Sequence, residues 1–182
     1  MAGPSFDPTH AVRFDLPQGR VHAGGDGERV LLVPTGAIDD LALSAPAEAV
    51  EALGRAIGTS IGRRAARRLG DAQAASVEAF VTQLAGEFAV SGVGVLSVER
   101  WGRALVVVVA GSPLNGTLLA PLVAAAIEAS SGRGVACTLL FRDEHMARLL
   151  IGGVAGVDRV REWVASGMVW AEALSRLQGG RS

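Results

Sequence analysis

The run Leu105-Val106-Val107-Val108-Val109-Ala110, with Arg103 before it and Gly111-Ser112-Pro113 after it, calls for a strand covered on both faces. Four consecutive valines leave no polar side to turn toward water. Ahead of it, Val93, Val95, Ser97 and Glu99 alternate with Gly94, Leu96, Val98 and Arg100, and Trp101-Gly102-Arg103 supplies a short turn. The two segments should therefore pair as an antiparallel hairpin over 93–111. Further extended segments follow at 134–141 and 147–151. The fold class is α+β: an antiparallel sheet of this hairpin and the two later strands, packed against helices.

The helices announce themselves by spacing. Val77, Phe80, Val81, Leu84, Phe88 and Val90 recur at helical intervals behind Ser76, a residue suited to cap a helix start. From Thr117 to Ser130 the only ionised side chain is Glu128, so that helix should be buried on most sides. A longer helix from Ala47 to Leu69 places Val50, Leu53, Ile57, Ile61, Ala65 and Leu69 on one face and Gly54, Gly58 and Gly62 on one stripe. Glycines cost a helix about 1 kcal/mol each relative to alanine, and they let another backbone come close. Its other side carries Arg55, Arg63, Arg64, Arg67 and Arg68, expected to be a solvated basic face near the helix end.

The ends of the chain differ from the middle. Residues 1–11, with two prolines, are expected to be disordered. Val12–Leu16 and Arg29–Val33 form an amino-terminal hairpin, and the single domain runs to residue 153. From 154 to 182 the pattern is a helix with Val160, Trp163, Val164, Trp170, Leu174 and Leu177 on one face. Trp and Arg are enriched where helices dock into partners, but the same face could fold back over its own domain.

Composition narrows the function. Of 182 residues, 49% are hydrophobic, yet no apolar run approaches the ~20 residues of a membrane span. Net charge is −1, which gives no general attraction to nucleic acid. All seventeen basic residues are arginine, a mark of high-GC codon usage. One cysteine, Cys137, excludes an internal disulfide framework, and no signal peptide is visible; a cytoplasmic protein is expected. No phosphate loop, dinucleotide fingerprint, zinc-protease motif or nucleophile elbow is present, and His10, His22 and His145 fall in loops. A non-enzymatic protein without cofactor is expected.

Several short motifs carry a resemblance: Gly19-Arg20-Val21 with Arg29-Val30-Leu31-Leu32, Ala52-Leu53-Gly54-Arg55-Ala56-Ile57-Gly58, Gly111-Ser112-Pro113-Leu114 and Gly132-Arg133-Gly134-Val135. In this order, over residues 14–151, the chain resembles the vinyl-reductase-type, hydrocarbon-binding sensory domains, distant cousins of the TRAPP tethering subunits and the heme–nitric-oxide-binding proteins. Such domains often carry cysteines in the late strand and after the turn that follows it, some of which bind zinc. Here Phe141 and Ala147 stand in those places and Arg142-Asp143-Glu144-His145 fills the turn, so no metal is expected.

Two functional readings follow. The first is a bacterial adaptor or scaffold, homodimeric through Gly54, Gly58 and Gly62, that docks a protein partner with Trp163, Val164, Trp170, Leu174 and Leu177. The second is an intracellular sensor that binds a small hydrophobic, aromatic or lipid-like ligand among Phe80, Leu84, Phe88, Val107, Val109, Leu119, Val123 and Phe141. The same eight residues would serve equally well as a filled core.

Overall fold

The computed structural model describes residues 5–24, 27–70 and 75–179. In chain order the elements are β1 (Val12–Asp15), β2 (Arg20–Ala23), β3 (Glu28–Val30), α1 (Thr35–Ser44), α2 (Ala47–Leu69), α3 (Val77–Val90), β4 (Val95–Trp101), β5 (Ala104–Ala110), α4 (Gly116–Ser131), β6 (Ala136–Arg142), β7 (Met146–Gly152), α5 (Val154–Ala165) and α6 (Trp170–Gly179). The expected α+β architecture is what the chain adopts.

The main sheet has the order β4-β5-β7-β6, antiparallel throughout, so the valine strand and β7 are its two inner strands. Successive side chains of β5 point to opposite faces. Val107 and Val109 join Leu149 in the core beneath α2, α3 and α4, while Val106 and Val108 join Leu150 in a second core beneath α5 and α6. This is the physical meaning of an unbroken valine run: each face of the strand has its own cover.

Local chemistry sets the helix ends. The Ser76 hydroxyl accepts a hydrogen bond from Ala79 N at 3.1 Å, and Asn115 Oδ1 accepts one from Leu118 N at 3.0 Å. Gly132, at φ +69°, closes α4 in the left-handed conformation that glycine adopts without penalty. The nearly uncharged α4 lies between the sheet and α2, with Leu118, Leu119, Leu122 and Val123 all at 0% exposure.

The glycine stripe of α2 is used within the chain, which corrects the expected dimer interface. A Cβ on Gly54 would stand 2.7 Å from Leu118 O, one on Gly58 would collide with the Leu122 carbonyl, and one on Gly62 with the Ala126 carbonyl. The contacts ascend together, 54 with 118, 58 with 122 and 62 with 126, so α2 and α4 run parallel and touch backbone to backbone. No room is left there for a second copy.

The expected amino-terminal hairpin forms and carries a third strand, in the order β1-β2-β3. Its last strand stops at Val30, paired with Val21; since β2 begins at Arg20, residues 32 and 33 run past the strand they would need. Residues 5–11, expected to be disordered, include Phe6, whose ring fills the space beside Gly86, and Ala11 at 3% exposure; residues 1–4 lie outside the described residues. The tail is two helices, broken at Ser166-Gly167, where Gly167 has φ +94°.

Candidate functional site

The layer between the four-stranded sheet and α2–α4 is where a small apolar molecule would be held. Of the eight expected lining residues, Leu84, Phe88, Val107, Val109, Leu119 and Val123 belong to its buried core, and Phe80 packs partly buried against it. Phe141 does not join them. Register slips between Leu139 and Phe141, so Leu139 stands opposite Leu149 whereas Phe141 stands opposite Arg148. One extra residue turns Phe141 to the other face, where it is 37% exposed, and brings Arg142 opposite Ala147, on the helix side.

Two polar groups at this layer stand out, and sequence reading singled out neither. Gln83, on α3 beside Leu84, is 7% exposed. Arg142 donates from Nη2 to Ser112 O at 3.2 Å, in the connection between β5 and α4, while its Nη1 is buried with no partner among the described residues. A buried guanidinium nitrogen left unpaired costs stability, so Arg142 Nη1 is a place for a ligand atom or a water. No periodicity or motif marks either residue, because only the fold shows that they are buried.

The turn at 143–145 is structural. Asp143 Oδ1 accepts from His145 N and from Met146 N, both at 2.8 Å, and these bonds, that to His145 first, hold its carboxyl below the usual carboxylate range. His145 is exposed, whereas Cys137 is buried. Burial pushes the Cys137 thiol up to about 12, which leaves thiolate scarce at any ordinary pH. Alkylation of native protein at pH 8.5 should run roughly a thousandfold slower than in unfolding concentrations of guanidinium. Equal rates in both conditions would show the thiol to be accessible and unshifted.

The five tail residues expected to meet a partner are instead set against the chain's own sheet, which corrects the docking surface. Leu174 is 1% exposed, and Trp163, Val164, Trp170 and Leu177 pack around it. The Trp170 ring meets Trp101 edge-on at 4.9 Å, Arg148 lies 5.7 Å over Trp170, and Arg176 lies 4.9 Å over Trp163. Trp101 Nε1 donates to Glu99 at 2.9 Å; that bond lowers the Glu99 carboxyl, burial opposes it, and Arg148 lowers it further. Gln178 Nε2 donates to Trp101 O at 2.7 Å and pins the end of α6 to the β4–β5 turn.

No protein-family model matches the chain, and no curated protein matches it. A solved structure does: the crystal structure of the phenol-responsive sensory domain of the transcription activator PoxR with phenol, at a TM-score of 0.59. The two share a fold. Their sequences are 14% identical, and the alignment covers 94% of this chain and 98% of the PoxR domain. At this identity the likeness is one of architecture.

Proposed function

We propose that this chain is an intracellular sensory module for a small, mostly apolar compound bearing one hydrogen-bonding group. The observation that carries the reading is Arg142, whose Nη1 is buried with no partner among the described residues, at a strand position opposite Ala147 of the apolar layer. The likeness of the whole fold to a phenol-responsive domain supports it. In this reading Leu84, Phe88, Val107, Val109, Leu119 and Val123 contact the ligand's apolar body, and Arg142 Nη1 donates to its hydroxyl or carbonyl oxygen near the β5–α4 connection. No reaction is assigned to the chain, and its output passes to another protein or domain.

The adaptor reading loses its two distinguishing features, since the glycine stripe and the tryptophan face are both occupied by the chain itself. Homodimerisation stays a proposal, without an assigned face.

The test is calorimetric titration and thermal shift with phenol and, beside it, toluene. Phenol should stabilise the protein by RT ln(1 + [L]/Kd), and toluene more weakly. Arg142→Met should weaken phenol about tenfold, the worth of one hydrogen bond, and leave toluene nearly unchanged. Equal loss for both compounds would remove Arg142 from the site. Absence of binding across a panel of substituted aromatics and short lipids would sink the sensor reading.

A further inference from the structure

Glu87, on α3, is 1% exposed, and its two carboxylate oxygens are taken by two arginines of α2. Arg64 Nε donates to Oε2 at 2.8 Å and Arg68 Nε to Oε1 at 2.7 Å. Both arginines then reach onward to the amino-terminal part of the chain. Arg64 Nη1 donates to Glu28 Oε2 at 3.2 Å and to Ser60 Oγ at 2.8 Å, and the Ser60 hydroxyl donates to Glu28 Oε1 at 2.7 Å. Arg64 Nη2 is spent on Ser91 Oγ at 2.8 Å, at the end of α3. Arg68 lies 4.5 Å over the Phe6 ring and donates from Nη1 to Asp7 O at 3.3 Å, while Phe6 itself sits where Gly86 leaves a gap in α3.

Neither core cluster includes a residue of β1–β3, and Ala23 is the one buried residue of those strands. The small sheet is therefore fastened mainly by ions and one aromatic ring, not by shared core. We propose that β1–β3 with the Phe6–Asp7 segment is a detachable module, and that Arg64–Glu87–Arg68 is the clamp that holds or releases it as a unit. Because one carboxylate on α3 orients both arginines of α2, a small shift of α3 against α2 loosens the Glu28 and the Phe6 attachments together. A buried, doubly paired carboxylate is sensitive to such a shift, since its attraction depends on geometry and its desolvation does not. The device is independent of which molecule, if any, moves α3.

Hydrogen exchange of the full chain by mass spectrometry tests it. Glu87→Gln keeps the shape and removes the charge; amides of β1–β3 should exchange roughly tenfold faster or more, with β5 and β7 unchanged. Phe6→Ala, which leaves Glu87 and both of its arginines in place, should loosen the same strands to a smaller degree. Unchanged protection of β1–β3 in Glu87→Gln overturns the proposal. Should Glu87→Gln loosen β5 and β7 as well, Phe6→Ala decides: faster exchange confined to β1–β3 supports a separable module, and no effect or a global effect refutes it.

Discussion

Gly58→Leu is expected to leave little folded protein. The new side chain would start at a Cβ already inside the Leu122 carbonyl, and a carbonyl in mid-helix cannot move aside without α4 moving with it. Helix propensity favours the substitution by up to about 1 kcal/mol, but separating α2 from α4 opens the core around Leu118, Leu122 and Val123. Overpacking of one or two methylenes costs about 1–3 kcal/mol, and an entire side chain against backbone goes beyond that. Gly36→Ala, in α1, is the control: nothing lies within 4 Å of the added Cβ, so it should be neutral or slightly stabilising. Far-ultraviolet circular dichroism during a thermal melt reads both. A Gly58→Leu protein that melts like the parent would mean the two helices are not in backbone contact.

Leu174→Ala in α6 should lower the melting temperature by roughly 10 °C, from a loss of about 3 kcal/mol at a buried leucine. Leu174 is 1% exposed amid Trp163, Trp170 and Leu177, and the cavity left behind has rigid aromatic walls that collapse poorly. Had the tail been a surface reserved for a partner, the same change would cost only a few tenths of a kcal/mol. A melting temperature within 1–2 °C of the parent would therefore return the tail to the role of a docking element.

Much of the fold was legible because the sequence states burial directly. Four valines in a row and a helix with Glu128 as its only charge can be read only as covered elements, and both are. The glycine stripe was legible as a close-contact surface but not as to its partner, because missing Cβ atoms carry no address. Phe141 was misplaced by a single bulged residue, since counting by twos along β6 cannot see where the register slips. Tryptophan and arginine are favoured both at interfaces and where amphipathic helices cover a sheet, so the tail's composition could not choose between them. Arg64, read with its neighbours as part of a solvated face, is 5% exposed; its partner Glu87 sits on a different helix, and no local pattern links the two.

The valine strand has one more consequence. With Val107 and Val109 in one core and Val106 and Val108 in the other, the sheet is a partition between two compartments of side chains. Swelling on the α2–α4 side, such as a bulkier residue would cause, would press on the same β5–β7 ladder that carries α5 and α6. The carboxyl-terminal helices thus rest on a shared wall of backbone, and a change of volume on its far side would reach them as a shift of that wall.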